Sequence, residues 1–399
     1  MNLRNLPPSL DLKEKRVLVR VDWNIPLRKP LVADEALKIE RSIATLRNLV
    51  KRGAIVIVMT HLGRPKKPSA EWSTEQLIPV VHKMVSVPIL FHPERLSQEA
   101  SFEALVASLS GVKAGSIHLL ENVRFNLGEE KNAIILSKRY AQLADIFIND
   151  AFASSHRAHA SVVGVARQLP SYAGATLIEE VTQASRLLDK VKHPFVAIVG
   201  GMKVSTKLPL LQTLLKTCDR VCTGGAMAST LLGSIGLSTG ASFVEKDMFA
   251  KAKGLLKYTG LCLPIDVCVV EDVSKPQTRR IVKVEEIRKR DIVVDVGPRT
   301  LQSWVQATKG AKTILWNGPV GMSEISEFGF GSRFIARLLA QATSKHGAYS
   351  IAGGGDTIPL TFETKTFKQM SFVSTGGGAL LEFIAKKGKL PGVVPLIKQ

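Results

Sequence analysis

The chain has 399 residues, and at roughly 100–200 residues per domain this length predicts two domains. Hydrophobic residues make up 45% of it and aromatic residues 6%, which is typical of a globular protein with an aliphatic core. The first 14 residues contain no apolar core of a signal peptide and no apolar run could span a bilayer, so we expect a cytoplasmic enzyme without a membrane partner.

The formal net charge of +20 bears on the kind of ligand, and the four cysteines bear on whether the chain holds zinc or disulfides. The charge would suit nucleic-acid binding, but the basic residues are scattered and no zinc finger, RNP-type motif or basic helical arm is present. Anionic small-molecule substrates or a generally basic surface explain the charge equally well. The cysteines form no C-x-x-C pair and have no histidine cluster, so reduced thiols are expected rather than zinc or disulfides.

Strand-like apolar runs alternate with helical patterns through the first half. The predicted strands cover residues 16–21, 54–59, 88–91, 116–120 and 145–148, and the predicted helices lie around 37–52, 74–85 and 133–143. This alternation predicts an α/β fold with a mainly parallel sheet that is covered on both faces. Ligands of such sheets bind beyond the carboxyl ends of the strands, so functional residues are expected there.

Arginine and histidine follow these strands, together with asparagine or aspartate. The residues in question are Asp22, Asn24, His61, Arg64, Arg124, His156 and Arg157. Because parallel strands end at one edge, Arg64, Arg124 and Arg157 are predicted to converge. Guanidinium groups bind phosphate and carboxylate bidentately, so three of them indicate a ligand with several negative charges. Each arginine alone could equally form a surface ion pair, and His82 and His159 are predicted to be structural.

The middle of the chain carries a strand, a glycine turn and a helix in succession. Residues 196–199 form a buried strand, Gly200 and Gly201 follow, and apolar residues then recur at helical spacing. A helix N-terminus after a glycine turn favours anions. Lys203 and Lys207 are predicted to lie on one helical face, where they would suit a polyphosphate, although both could simply be solvated. The stretch matches neither a P-loop nor the dinucleotide fingerprint.

Residues 170–193 show a long helical pattern without a strand of their own, which predicts a helix that joins two domains. The second half then repeats the strand–helix alternation, with strands at 220–223, 263–270, 292–296, 313–316, 349–352 and 372–374. These strands end in glycines, which allow a base or a phosphate to lie against the backbone. Asp356 follows one glycine run and could either cap the next helix or hold Mg²⁺. The first half therefore looks suited to a small polyanion and the second half to a nucleotide.

Seven stretches, in order and over essentially the whole chain, resemble the signatures of the phosphoglycerate kinase family: residues 20–27, 61–65, 121–125, 156–161, 316–321, 353–357 and 374–378. The resemblance implies two Rossmann-like domains with mainly parallel sheets, joined by a helical hinge across a cleft. It implies residues 1–172 as the phosphoglycerate-binding domain, with 386–399 packing back on it, and 173–385 as the nucleotide-binding domain, beginning with the interdomain helix. It also implies a monomer that transfers a phosphoryl group reversibly, with Mg²⁺, between ATP and the carboxylate of 3-phosphoglycerate in glycolysis and gluconeogenesis.

Carried over residue by residue, the resemblance implies three groups of site residues. The phosphoglycerate site takes Asp22, Trp23, Asn24, Lys38, His61, Leu62, Gly63, Arg64, Arg124, His156 and Arg157. The nucleotide site takes Gly201, Lys203, Lys207, Gly225, Gly297, Asn317, Gly318, Val320, Glu324, Gly354, Gly355, Asp356 and Thr357, with Glu324 at the ribose and Asp356 as the Mg²⁺ ligand. The residues implied to be catalytic are Lys38, Lys203, Gly355 and Gly378.

The chain departs from the family pattern at a few positions. Lys38 stands where the family usually has an arginine close to the transferred phosphoryl group. Lysine keeps the charge but loses the bidentate fork, so either Lys38 suffices or Arg41 assists it. Met202 and Ala226 replace a small residue and a glycine, and Trp23 replaces a phenylalanine. Two other functions remain open: a different ATP-dependent acid kinase, or a protein whose basic surface binds RNA or DNA.

Overall fold

The computed structural model describes residues 1–26, 32–85, 87–188 and 191–398, and these divide into two compact units. The first unit comprises Met1–Ser185 together with the residues from Lys386 onward, and the second comprises Arg186–Ala385. No helix within the described ranges has the length and apolar character needed to cross a bilayer.

The first unit is built on a six-stranded parallel sheet. Its strands are β1 (Arg16–Arg20), β2 (Ile55–Met59), β3 (Ile89–His92), β4 (Ile117–Leu120), β5 (Ile146–Asn149) and β6 (Ser171–Ala173), in the order β3-β4-β2-β1-β5-β6. Its α-helices are α1 (Ala33–Lys51), α2 (Ile78–Val85), α3 (Glu99–Ser108), α4 (Ile134–Gln142) and α5 (Ala175–Ser185). The predicted parallel α/β architecture is confirmed.

Both faces of this sheet are buried, because its central strands are apolar at successive positions. Val17 and Val19 pack into one hydrophobic cluster with Ile39 and Ile43 of α1, whereas Leu18 packs into a second cluster on the opposite face. Since both faces are covered, a ligand can reach the sheet only at the strand ends. This is the pattern expected when a parallel sheet carries helices on both sides.

The second unit contains two sheets. A six-stranded parallel sheet has the order β15-β14-β13-β7-β8-β9, and a three-stranded antiparallel sheet has the order β11-β10-β12. The strands are β7 (Phe195–Val199), β8 (Arg220–Thr223), β9 (Leu261–Cys262), β10 (Asp266–Val270), β11 (Arg280–Lys283), β12 (Ile292–Val296), β13 (Thr313–Asn317), β14 (Tyr349–Gly353) and β15 (Phe372–Ser374). The α-helices are α6 (Val204–Thr217), α7 (Gly225–Gly233), α8 (Phe249–Leu255), α9 (Pro298–Thr308), α10 (Phe330–His346), α11 (Ile358–Glu363) and α12 (Gly378–Ala385).

The segment predicted to be a joining helix differs from that prediction in two ways. It does contain a strand, since β6 pairs in parallel with β5, and its α-helix α5 ends at Ser185. This helix groups with the first unit rather than opening the second, because it is anchored there. The Thr176 amide donates to Asp150 Oδ1 at 2.7 Å, and the Ala175 amide donates to Thr45 Oγ1 at 3.0 Å.

The C-terminal segment belongs to the first unit through main-chain hydrogen bonds. The Gly392 amide donates to the Ser155 carbonyl at 2.8 Å, and Asn149 Nδ2 donates to the Gly392 carbonyl at 3.0 Å. Farther along, Leu3 and Ile397 form an antiparallel bridge. The first unit is therefore assembled from both ends of the described chain.

Candidate functional site

The carboxyl ends of the strands in the first unit form a basic cavity of about 820 Å³. Arg64, Arg124 and Arg157, which follow β2, β4 and β5, all line it, so their predicted convergence is confirmed. The other lining residues are Pro65, Asn126, Leu127, Gly128, Glu129, Glu130, Lys131 and His159. We call this cavity the arginine pocket. His159, predicted to be structural, is part of its wall.

Asn122 holds two of these strand ends together. Its side-chain oxygen accepts the Arg124 amide at 3.1 Å, and its Nδ2 donates to the carbonyls of Leu62 and Trp72, each at 2.8 Å. The Arg124 guanidinium in turn donates to the Gly63 carbonyl. A Cβ on Gly63 would lie 2.0 Å from the Trp72 ring, so this close approach requires glycine.

The electrostatics of the pocket favour an anion. Burial lowers the pKa of Arg124, and the positive charge of Arg157 lowers it further. The arginines therefore repel one another in a partly desolvated site. A multiply charged anion would relieve this repulsion and could accept bidentate hydrogen bonds from the guanidinium groups.

The other predicted phosphoglycerate residues lie near these strand ends but outside the lining of the pocket. Asn24 Oδ1 accepts the Gly63 amide at 2.8 Å, and Lys38 Nζ donates to the Asn24 carbonyl at 3.1 Å. The structure thus links Lys38, Asn24 and Gly63 to Arg124 through hydrogen bonds. On the next strand end, Arg157 Nε donates to His156 Nε2 at 3.1 Å.

His61 is held as a neutral ring. Burial and then the charge of Arg20 lower its pKa well below the usual value. Its Nδ1 therefore accepts a hydrogen bond from Arg20, at 3.2 Å, and lies 3.8 Å from Asp22 Oδ1. Trp23 and Leu62 have no more than 1% of their surface exposed, which leaves them no surface for a ligand in this conformation. The Trp23 indole instead donates to Ser42 Oγ at 2.8 Å.

Sequence reasoning missed a buried polar network behind the pocket. Glu129 accepts the Ser161 amide at 3.1 Å and the Ser161 hydroxyl at 2.5 Å, and Arg20 Nε donates to that hydroxyl at 3.1 Å. All three residues are at most 1% exposed. Arg20 could have been noticed in the sequence, because it is a charged residue within the apolar run 16–21 that was predicted to be a strand. Glu129 lies in a polar loop, and no feature of the sequence distinguished it.

The second unit contains a cleft of about 630 Å³ where its strands end in glycine turns. Of the predicted nucleotide residues, those that line it are Gly201, Lys207, Gly225, Asn317, Gly318, Val320, Glu324, Gly354, Gly355 and Asp356, and Gly378 lines it as well. We call it the glycine cleft. The exposed Met202 and the half-buried Ala226, two departures from the family pattern, also lie in its wall.

Three predicted nucleotide residues are absent from this lining among the described residues. Lys203 is exposed and precedes α6 as its N-cap, with extended backbone. Thr357 is buried and its hydroxyl accepts the Gly318 amide at 3.0 Å. Gly297 precedes α9, where a Cβ would lie 2.3 Å from the Asp266 side chain. The structure therefore places Lys207 in the lining of the cleft and Lys203 outside it, at the N-cap of α6.

Lys207 is a built part of the glycine cleft. Its Nζ donates to the Gly200 carbonyl at 2.5 Å and to the side chain of Asn317 at 2.9 Å. Burial lowers the pKa of Lys207 to about 8, while the negative charge of Asp356 opposes that shift. The alternative that this lysine is simply solvated is wrong. Gly200 is required beside it, because a Cβ there would lie 2.0 Å from the Pro319 carbonyl oxygen.

Asp356 does not cap the helix that follows it. The N-cap of α11 is Thr357, which makes no side-chain cap hydrogen bond, and Asp356 is exposed in the wall of the cleft. The described residues contain no group of three or more histidine, cysteine, aspartate or glutamate side chains that could hold a metal. A single carboxylate fits Mg²⁺ that arrives with nucleotide phosphates, since such Mg²⁺ takes one or two carboxylates from the protein.

Comparisons with known proteins point to one family. The family model described as phosphoglycerate kinase matches residues 8–387. The phosphoglycerate kinase of Thermus thermophilus is 42% identical over 395 residues, which cover 96% of this chain and 97% of that protein. The phosphoglycerate kinase of Deinococcus radiodurans is 39% identical over 391 residues, covering 97% of this chain and 93% of that protein. The solved structure of phosphoglycerate kinase from Coxiella burnetii aligns with a TM-score of 0.80 at 37% identity and covers 98% of this chain and 97% of that one.

Proposed function

The chain belongs to the phosphoglycerate kinase family, and on that premise we propose that its arginine pocket binds 3-phosphoglycerate and its glycine cleft binds ATP or ADP. One observation carries the proposal: three arginines from separate strand ends converge in one unit, while the other unit offers a glycine-lined cleft with a half-buried lysine. The first arrangement suits a small polyanion and the second suits a nucleotide.

The family's reaction moves a phosphoryl group between ATP and the carboxylate of 3-phosphoglycerate. A carboxylate is already ionised near pH 7, so the reaction needs no general base. Catalysis is then a matter of positioning and of stabilising charge in a site without water. We assign Arg64, Arg124 and Arg157 to the phosphate of 3-phosphoglycerate, which fixes where its carboxylate lies.

Lys207 and the glycine turns would hold the nucleotide phosphates. Gly378 begins α12 and lines the cleft, so amide groups at that helix start can donate to phosphate oxygens. Asp356 would hold Mg²⁺, which when bound neutralises charge on the nucleotide phosphates. Glu324 lines the same cleft and would accept hydrogen bonds from the ribose. Lys203, exposed beside the cleft, is assigned to the transferring phosphoryl group.

Lys38 rather than Arg41 takes the place of the usual arginine in this proposal. Arg41 donates to the fully buried Glu180 carboxylate at 2.9 Å, which occupies it between α1 and α5. Lys38 is half-buried and is bonded to the Asn24 carbonyl at the strand end. Its ammonium group can supply the positive charge, though not a bidentate fork.

The remaining features of the proposal follow from the reaction. Because the two proposed ligands bind to different units, we infer that hinge-bending brings them together and keeps water away from ATP. We also propose a monomeric enzyme in the cytoplasm, where ATP and 3-phosphoglycerate are available. Its partners are these small molecules.

A coupled assay with ATP, 3-phosphoglycerate and Mg²⁺ tests the proposal. Turnover should require all three, and Arg124→Ala should lower kcat/KM by about 10²-fold or more, because it removes a charged anchor. Turnover of another acid but not of 3-phosphoglycerate would instead identify a different acid kinase. Retention of parental activity by Arg124→Ala would show that the substrate does not bind in the arginine pocket.

A further inference from the structure

Glu129 is a buried carboxylate in the wall of a pocket that is otherwise suited to anions. It lines the arginine pocket and is only 1% exposed. Its hydrogen bonds to the Ser161 amide and hydroxyl fix its position. A negative charge at this place opposes the binding of a polyanion, so the pocket contains a group that works against its proposed ligand.

Charged and titratable groups face this carboxylate from every element around it. Arg20 reaches it from β1 through the Ser161 hydroxyl, and Tyr140 faces it from α4. The ring of His159 lies 3.8 Å away, and Arg124 acts on it from the end of β4. Two other carboxylates belong to these surroundings: Glu130 lines the same pocket 3.6 Å from Arg124, and Asp22 lies 3.8 Å from His61.

The surroundings of Glu129 suit either protonation state. Burial raises its pKa to about 7, although Ser161 and Arg20 act in the opposite direction. The Ser161 hydroxyl donates to the carboxylate here, but a hydroxyl can also accept, so it can equally accept the proton of a neutral carboxyl group. Protonation therefore reverses the hydrogen bond between Glu129 and Ser161 and keeps the contact, while the Ser161 hydroxyl loses the acceptor of its own proton.

We propose that Glu129 couples substrate binding to protonation: when a multiply charged anion enters the arginine pocket, a Glu129 carboxylate that is still ionised takes up a proton from solvent. The bound negative charges repel the ionised carboxylate and leave the neutral form, so the pocket adjusts its own charge to its ligand. This rests on the proposed binding of 3-phosphoglycerate in that pocket. It makes Glu129 a residue that tunes affinity and does not place it in contact with the reacting atoms.

The size of the coupling follows from linkage. If the bound anion raises the pKa of Glu129 by about one unit, binding at pH 7 takes up about 0.4 protons. The same shift weakens binding about fivefold between pH 6 and pH 8. The substrate's own phosphate, with a pKa near 6, has the opposite effect, because binding favours its dianion and releases protons. The sign of the proton exchange thus distinguishes the two sources.

Isothermal titration of the full chain with 3-phosphoglycerate at pH 7, in two buffers of different ionisation enthalpy, measures this exchange directly. The parent should take up about 0.3 protons net, because the substrate phosphate releases about 0.1 at pH 7, and Glu129→Gln, which stays neutral and keeps its acceptor oxygen, should show only that small release. Glu103→Gln is the control, since it removes an equal charge from an exposed position on α3 outside the lining of the pocket, and it should retain the uptake.

Ser161→Ala provides a second variant that leaves Glu129 in place. It removes the hydroxyl that stabilises the ionised form, so the uptake should fall at pH 7 and reappear near pH 8. Binding of 3-phosphoglycerate without proton uptake by the parent, or with uptake that persists in Glu129→Gln, would overturn the inference and leave the proposed function standing. If 3-phosphoglycerate does not bind at all, both the inference and the proposed function are wrong.

Discussion

Raising the pH from 7 to 9 should weaken nucleotide binding about tenfold through the titration of Lys207. In the free protein, burial lowers the pKa of this lysine to about 8, so at pH 9 about nine-tenths of the molecules carry a neutral amine. A phosphate beside the ammonium group restores its ordinary pKa. At pH 9 the neutral Lys207 amine must therefore take up a proton when the nucleotide binds. The resulting tenfold loss of affinity corresponds to about 1.4 kcal/mol of binding free energy.

Isothermal titration with MgADP across this pH range measures the effect in the parent and in Lys207→Arg. Arginine stays protonated, so the variant should lose less than twofold in affinity over the same interval. Lys203→Arg is the matched control, because Lys203 is exposed and should leave the parental pH dependence in place. Thermal unfolding of each variant establishes that it is folded. If Lys207→Arg weakens as steeply as the parent, the proton does not come from Lys207 and the reasoning fails.

Three further predictions concern catalysis and stability. In steady-state assays, Lys38→Ala should lower kcat about 10²-fold, whereas Lys38→Arg should keep the parental value. If both variants behave like the parent, Lys38 does not touch the transferring group. Glu180→Ala should cost about 3–5 kcal/mol in urea unfolding because it removes the buried carboxylate that pairs with Arg41, whereas the exposed Glu179→Ala should change little. An equal effect of the two variants would contradict the role of the ion pair. Burial lowers the pKa of His118 from 6.5 to about 4, so up to about 3 kcal/mol of stability should be present above pH 6.5 and lost as the pH falls towards 4. His118→Asn should reduce this loss of stability in acid, and the control His82→Asn, at an exposed position, should not. If His118→Asn is as sensitive to acid as the parent, the loss does not come from His118.

The fold was predictable wherever one physical signal dominated. Buried β-branched runs such as β2 and β7 predict parallel strands, because only a sheet covered on both faces hides them completely. The strands β6 and β11 gave no such signal. The first is three residues long, and the second alternates half-buried and exposed residues with a basic residue at each end. Tertiary pairing, rather than local pattern, creates them.

The candidate site was predictable where it depends on one rule, that the carboxyl ends of parallel strands lie at the same edge of a sheet. That rule brought Arg64, Arg124 and Arg157 together correctly, although they are far apart in the sequence. It could not identify Glu129, which a loop carries into the pocket wall. Nor could it distinguish Lys207 from Lys203, because the burial of Lys207 depends on Asn317, 110 residues away.

The hydrogen bonds of the C-terminal segment have a consequence for how the chain folds during synthesis. All residues of the second unit emerge from the ribosome before the C-terminal segment. That segment contains Gly392 and Leu396, and Leu396 is buried in the first unit. The second unit can therefore fold first, whereas the first unit, although begun earlier, is completed only when Gly392 reaches Ser155 and Asn149. Chaperones that bind exposed apolar surface should thus engage the N-terminal half of the nascent chain for longer than the middle of it.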